Sequence, residues 1–400
     1  MQDVTLDDGD PRMDHKLLAQ VAVVSDSQSE FHPFRFTGTT GGFFPIWIVN
    51  LFLTIITVGL YSPWATVRKR RYFYGHTWVA DANFEYHGNP IAILKGRLIA
   101  VAAFAVYSGL GHFMPKVAAV LALALFAAAP WFIARSMAFN AFNSSYRNIR
   151  FRFHATYMDV LRAIWPVALV LVFPFFMPEI DQTGKVLPSA TFWVVLGLQM
   201  LAIIAVYPYA IGSLKKLHVN HSQFGTAQFA TDIGLGAFYK IYFVMILVVI
   251  GAFFVAGILV AIVVGVVAAT GASLAKSSAI LIPIAMVILY FSVGSLLLAY
   301  TKSRVGNLVF NNTRLESHVS FVSNLQLRKL AWLYLVNMFA ILFSLGLAVP
   351  WAVIRMMRYR AECLQLRAGS SLDGFIGGVA AQVSATGEEL GEFFSIDLSL

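Results

Sequence analysis

The chain has 400 residues, 58% of them hydrophobic and only 12% charged, with 34 phenylalanines and a net charge of +9. A soluble protein carries about a quarter charged residues, so an ordinary soluble globular class is excluded. The single cysteine, Cys363, excludes an intramolecular disulfide.

Residues 1–30 are polar, hold seven acids and lack an apolar signal core. They read as an acidic disordered tail. "FRFTG" at 34–38 alternates polar and apolar residues, as a strand does. Eight apolar stretches follow, at 43–62, 98–114, 117–137, 160–177, 190–212, 241–269, 279–301 and 330–349, and none holds an Asp, Glu or Lys. A crossing helix needs roughly 20 apolar residues. The short connections "GHFMPK", "MPEIDQTGKVLP" and "TGASLAKSS" carry one Lys each, three in all, whereas the four long connections carry nineteen Lys and Arg. This bias places the long connections in the cytoplasm.

The long connections repeat one phrase. Pro63-Trp64, Pro130-Trp131, Pro208-Tyr209, Ala299-Tyr300 and Pro350-Trp351 each precede a polar residue one turn later: Arg68, Arg135, Ser213, Arg304 and Arg355. A polar break follows at His76-Thr77, Asn143-Ser144, Asn220-His221 and Asn311-Asn312, and then a short alternating segment: "NFEYHG", "IRFRFH", "AQFATD" or "SHVSFVS". Each unit therefore reads as a span, a basic helix, an Asn-rich stop, a strand and the next span. The strands are too short to stand alone but could pair into one small cytoplasmic sheet. The stretches 43–62 and 330–349 match at Asn50/Asn337, Gly59/Gly346 and Pro63/Pro350, yet each has apolar length for one crossing only. Two readings stay open. A single crossing would put both termini outside, and a re-entrant pair of half-helices would keep them inside.

The string from "FRFTGTTGGFFPIWIVN" through "YSPWATVRKRRYF" to "NFEYHGNPIAILKGR", with the ending "GEELGEFFSIDLSL", resembles the YjgN-like family of bacterial inner-membrane proteins. The resemblance implies a multi-pass inner-membrane protein of unknown function. It also points to a membrane-linked metallopeptidase as a candidate partner. It supplies no catalytic residues.

Among the residues themselves, Arg68, Arg71, Arg135, Arg304 and Arg355 with Asn143, Asn220 and Asn311 could form a basic and polar ring at a cytoplasmic mouth. The plainer account is that the arginines snorkel beside interfacial aromatics and the asparagines end helices. Gly257, Ala261, Gly265 and Ala269 form a small-residue packing stripe, within one subunit or in a homo-oligomer. His218 and His221 lack further metal ligands nearby in sequence, so no metal or cofactor is expected. No catalytic motif occurs. Spans without carboxylates argue against ion-coupled transport.

The expected fold is an all-α polytopic membrane protein of repeated transmembrane helical hairpins, with short cytoplasmic β-strands between repeats. Its parts are the tail at 1–30, a membrane domain of six to eight spans at 31–368 and an acidic C-terminal tail at 369–400. That last tail could stay solvated, or dock "GEELGEFFSIDL" on the basic platform near Arg147, Arg152 or Arg314 with Phe393 and Phe394 as anchors. The expected function is non-enzymatic. It is a passive pore or carrier for a small anionic or amphipathic molecule, or alternatively a scaffold that binds a partner. The lipid bilayer is the certain contact, and nucleic acid is not an expected partner.

Overall fold

The computed structural model describes residues 30–172, 190–270, 272–369 and 371–397. Residues 1–29 of the expected N-terminal tail lie outside the described residues, as does the whole "MPEIDQTGKVLP" connection.

The all-α expectation is overturned by the sheet. Eleven strands form one antiparallel sheet in the order β1-β11-β10-β9-β8-β7-β6-β5-β4-β3-β2. They are β1 (Glu30–Pro33), β2 (Arg35–Phe36), β3 (Thr77–Val79), β4 (Ala82–Tyr86), β5 (Ser144–Tyr146), β6 (Ile149–Phe153), β7 (Ser222–Phe224), β8 (Ala227–Thr231), β9 (Thr313–Leu315), β10 (Val319–Ser323) and β11 (Leu364–Ala368). The two ends of this order, β1 and β2, are separated only by Phe34. The Phe34 N–H donates to the Leu364 carbonyl at 3.1 Å, and that of Thr37 donates to the His76 carbonyl at 2.9 Å. One continuous stretch thus bonds β11 on one edge and β3 on the other, and the sheet closes into a near-barrel. Closure removes the unpaired edges that would otherwise recruit other chains.

The reason for the correction is countable. Each repeat contributes two strands where one was expected. The polar breaks read as helix stops lead straight into β3, β5, β7 and β9, each only three residues long. Tight turns join them to β4, β6, β8 and β10. At Ala80-Asp81 and Arg147-Asn148 both central residues have positive φ, the geometry that matches strand twist in a two-residue hairpin.

Between successive β-hairpins the chain leaves the sheet as a helical hairpin and returns to it. The helices are α1 (Thr40–Ile56), α2 (Ser62–Gly75), α3 (Pro90–Phe113), α4 (Pro115–Phe142), α5 (Tyr157–Ile164), α6 (Val167–Val172), α7 (Ala190–Asn220), α8 (Leu235–Thr270), α9 (Ala272–Asn311), α10 (Leu327–Phe343) and α11 (Val349–Glu362). A twelfth, α12 (Leu372–Asp397), follows β11. The helices α1 to α5 pack in succession, α5 and α6 both pack on α7, α7 to α11 pack in succession, and α11 packs back on α1, so the helices also form a ring. That last seam buries Phe36, Phe43, Phe73 and Ile354. Arg358 donates across it to the Gly38 carbonyl. The buried prolines Pro63, Pro130 and Pro350 recur at one level of the repeat.

Five helices among the described residues are long and apolar enough to cross a bilayer: Pro90–Gly111, Val120–Phe142, Ala190–Asn220, Leu235–Val266 and Ala285–Asn311. The expected stretch at 160–177 is occupied by α5 and α6 as far as Val172, broken by the turn at Trp165-Pro166.

The stretches 43–62 and 330–349 each turn back toward the sheet they leave. The chain enters α1 from β2 and leaves α2 into β3, and these strands pair at Arg35↔Trp78 and Phe36↔Thr77. The segment therefore begins and ends on the same sheet. Likewise α10 and α11 lie between β10 and β11, paired from Val319↔Ala368 to Ser323↔Leu364. The two reversals are near copies. Val58 and Gly59 have φ of +50° and +91°, and Leu345 and Gly346 have +51° and +93°. The amide of Gly59 donates to the Thr54 carbonyl, and that of Gly346 to the Ile341 carbonyl, both at 2.8 Å. These are the six-to-one bonds that close a helix end. Buried Asn50 and Asn337 each donate a long bond to the returning helix, at the carbonyls of Ala65 (3.5 Å) and Ala352 (3.3 Å). The tips are apolar and almost fully exposed, Val58 at 92% and Leu345 at 93%, as a lipid-inserted turn would be.

Candidate functional site: a cationic vestibule above a phenylalanine collar

Strand side chains alternate faces, so every second residue of each strand meets the lumen of the closed sheet. At mid-height the lumen residues are Phe34, Phe84, Phe151, Phe229 and Phe321, one from each repeat. Neighbours stack at centroid distances of 6.2, 6.5, 6.5 and 6.3 Å, with interplanar angles of 10, 21, 23 and 29°. Their register partners on the short strands are Tyr146, Phe224, Leu315 and Leu366. The result is an apolar collar around the axis. The phenol of Tyr146 is pushed above its ordinary pKa by burial and donates to the Val79 carbonyl at 2.8 Å.

Below the collar, α12 occupies the mouth at the β-turn end. Its buried stripe Leu372, Ile376 and Val379 joins one core with Val79, Tyr146, Ile149, Phe224, Ala227, Leu315, Val319, Leu366 and Ala368. Contacts with Arg147, Thr226 and the His318 ring, at the tips of three successive β-hairpins, set the helix across this end of the ring. Polar contacts fasten the rim. Asp373 pairs with Arg147, which also donates to the Ala80 carbonyl at 2.7 Å. The Thr226 hydroxyl donates to Gln382 Oε1 at 2.7 Å. The hydrogen bond and charge of Arg147 hold the Asp373 carboxyl below the usual carboxylate range. The expected anchors Phe393 and Phe394 lie beyond the described side chains.

Above the collar a cavity of about 410 Å³ opens between the sheet and the helices. Phe34 and Phe84 border it, with Tyr74 of α2, Lys302 and Phe310 of α9, Tyr334 of α10, and Met357 and Arg360 of α11. Lys215 of α7 lies within electrostatic reach of Lys302 and Arg360. None of the three cations makes a salt bridge among the described residues. Counted from the aligned proline position, Lys302, Lys215 and Arg360 stand at +3, +7 and +10. Those offsets share one helical face at about 100° per residue. The expected ring residues Arg68, Arg135, Arg304 and Arg355 all stand at +5, on roughly the opposite face. Arg304 lies over the Tyr300 ring at 5.9 Å and Arg355 over Trp351 at 5.1 Å. Arg68, Arg71 and Arg135 are exposed. The spacing that distinguishes the faces was present in the sequence, but it becomes readable only once all five repeats are overlaid.

The asparagines sit where helices meet strands. Asn143 Nδ2 donates to the Phe139 carbonyl of its own helix at 2.8 Å. Asn220 Oδ1 accepts from the Thr231 amide at 2.8 Å, and Asn311 brackets Ser323 through its amide and its carbonyl oxygen. The structure does not bring these residues together with the arginines. A Cβ added at Gly257 or Gly265 would meet nothing within 4 Å, so the stripe through Ala261 and Ala269 lies open on α8. No group of three or more metal-ligating side chains occurs among the described residues. His221 instead faces Asp159 at 3.6 Å.

Comparison with known proteins follows this geometry. The chain is similar to the "Inner membrane protein YjgN" of Salmonella typhimurium, 26% identical, over 86% of this chain and 91% of that protein. It is 27% identical to the protein of that name from Escherichia coli K12, over 53% of this chain and 55% of the relative. The counterpart from Escherichia coli O157:H7 is 29% identical over 40% and 38%. No solved structure matches significantly. Residues 31–393 match the family described as "Bacterial protein of unknown function (DUF898)", and the chain therefore belongs to the DUF898 family of YjgN-like membrane proteins.

Proposed function

We propose that this chain is a passive conduit or carrier for a small anionic or amphipathic molecule. It acts without enzymatic chemistry in the bacterial inner membrane, with its sheet and basic connections in the cytoplasm. The observation that carries this reading is coaxial. A vestibule lined by Lys302 and Arg360, with Lys215 within electrostatic reach of both, adjoins an apolar collar inside a closed sheet. Unpaired cations in a low-dielectric recess raise the local concentration of anions. An apolar constriction below them holds back water and ions until it widens. Expected spans without carboxylates leave no site for proton or sodium coupling.

A second reading, a non-transporting scaffold for a membrane partner such as a metallopeptidase, is favoured by the occupied mouth. With α12 seated, the sheet is closed from below and offers its outer face.

Ion selectivity separates the two readings. The full-length chain would be reconstituted into liposomes and its permeability to chloride, phosphate and potassium compared. A conduit passes anions over potassium, and the K215Q/K302Q/R360Q variant loses that preference. Liposomes as tight as protein-free ones, with α12 loosened by Gly225→Val, would leave the scaffold.

A further inference from the structure

The ring of helical hairpins is uneven, and two of its short hairpins are adjacent. α8 and α9 have 36 and 40 residues, about 54 and 60 Å at 1.5 Å per residue. α1 and α10 have 17 residues, and α2 and α11 have 14, about 21–26 Å. These two short hairpins are neighbours, joined at the α11–α1 seam. The intramembrane wall is therefore missing over one continuous sector, and lipid can reach the vestibule from the side there. The cavity of about 410 Å³ lies immediately inside that sector, since α2, α9, α10 and α11 all border it.

We propose that this cavity is a lateral binding site for a phosphate-bearing amphiphile. Lys302 and Arg360, with Lys215 nearby, hold the headgroup, and the acyl chains leave over the two short hairpins into the bilayer. The site rests on the vestibule reading for its location, and it does not require conduction.

Three properties support that ligand class. The volume suits a headgroup, being within the range of small-molecule pockets at roughly 300–1,000 Å³. The lining pairs apolar and amphipathic groups, such as Phe310, Tyr334 and Met357, with just two cations and no carboxylate. A site for a fully hydrated inorganic anion would have little use for that apolar share. Finally, the cations repel one another, and none has a salt-bridge partner among the described residues. A bound phosphate relieves this repulsion. The planar guanidinium of Arg360 can take two of its oxygens, and the ammonium of Lys302 supplies a point charge.

The test uses the full-length chain in nanodiscs of phosphatidylcholine, with and without phosphatidylglycerol, read by thermal unfolding and by lipid retained in native mass spectrometry. Phosphatidylglycerol should raise the melting temperature, and K302Q/R360Q should weaken retention about tenfold or more. Lys216→Gln and Arg314→Gln, with the same loss of charge elsewhere, should not. Lys302→Arg should retain binding. In pure phosphatidylcholine, K302Q/R360Q should be at least as stable as the parent, because a repulsion has been removed. Millimolar inorganic phosphate forms a separate arm. If it alone reproduces the variant-sensitive shift and phosphatidylglycerol does not, the cationic site stands and the amphiphile is overturned. Equal retention of phosphatidylglycerol by the parent and K302Q/R360Q overturns the site. Liposomes that bind the lipid but pass no anion would remove the conduit and leave this site standing. Anion flux with unaltered lipid retention in K302Q/R360Q would do the reverse.

Discussion

The carboxylate of Asp373 rests against the guanidinium of Arg147, tying the first turn of α12 to the tip of a β-hairpin 226 residues earlier in the chain. The contact sits at the rim, outside the apolar core that seats the helix. Its effect should therefore be on how readily α12 opens, not on whether the sheet forms. Because Arg147 holds the Asp373 carboxyl low, its contribution is fully present above the unfolded carboxyl value of about 3.9. It is lost as pH falls through the folded value. Asp373→Asn should increase protease cutting within α12 at neutral pH. The parent should approach the variant only below about pH 4. Identical cutting at pH 7 would show that the pair does not fasten the helix.

A tighter constraint lies at Gly225. A Cβ there would stand 2.7 Å from Val379 and 2.9 Å from Val383, and the backbone has φ of +58°. Gly225→Ala should destabilise the seated helix by about 1–3 kcal/mol, combining overpacking with left-handed strain. Hydrogen exchange over 372–383 measures this directly. Exchange should speed up there more than in the strands, and an unchanged rate would contradict the close approach.

The paired reversals make a topological prediction that does not depend on orientation. Reporters fused at both termini should lie on the same side of the membrane as one inserted in the Arg147-Asn148 turn. Opposite sides would restore single crossings. Gly59→Ala and Gly346→Ala should each cost about 1–2 kcal/mol, since both glycines have φ beyond +90°. Thermal melts should give similar losses for the two, because the turns are near copies.

The helical pairs, the five-fold phrase and the excess of Lys and Arg in the long connections were legible because they are local patterns. The closed sheet was not. Thr77–Val79 and its three counterparts are too short to show a period of two, and each begins with the same Ser or Thr that a helix stop would use. Their bonds to the neighbouring repeat, such as Glu85↔Ser145, join segments about sixty residues apart. Periodicity carries no information about such pairings. The phenylalanine collar was visible one strand at a time, as the central Phe of "NFEYHG" or "IRFRFH". That these residues face one axis follows only from closure. Similarly, the +5 arginines drew attention by their chemistry, while Lys215, Lys302 and Arg360 stand at three different offsets, whose common face emerges only when the repeats are overlaid.

The collar predicts its own mutational signature. Phe151 stacks on Phe84 and Phe229, both at 6.5 Å, and meets Phe224 at 5.2 Å. Phe151→Ala should destabilise by about 2–3 kcal/mol, at the low end for phenylalanine truncation because the ring is only partly buried. It should also raise anion leakage when α12 is loosened. Phe151→Leu should recover most of the stability by thermal melt. A leak that grows in Phe151→Leu as much as in Phe151→Ala would argue against a size-dependent constriction.

The proposed conduit requires α12 to close an axial path through the sheet, and one measurement addresses that. In a Cys363→Ser background, Thr226→Cys and Gln382→Cys place two thiols where the parent side chains are hydrogen-bonded at 2.7 Å. A short reversible thiol linker would lock the helix in its seat. Anion flux through liposomes would then be recorded before and after the linker is cleaved. The account predicts flux near the protein-free background while the linker is intact, with a rise of about tenfold or more on cleavage when Asp373→Asn is also present. The same low flux before and after cleavage, with the helix shown by protease to be released, would contradict it.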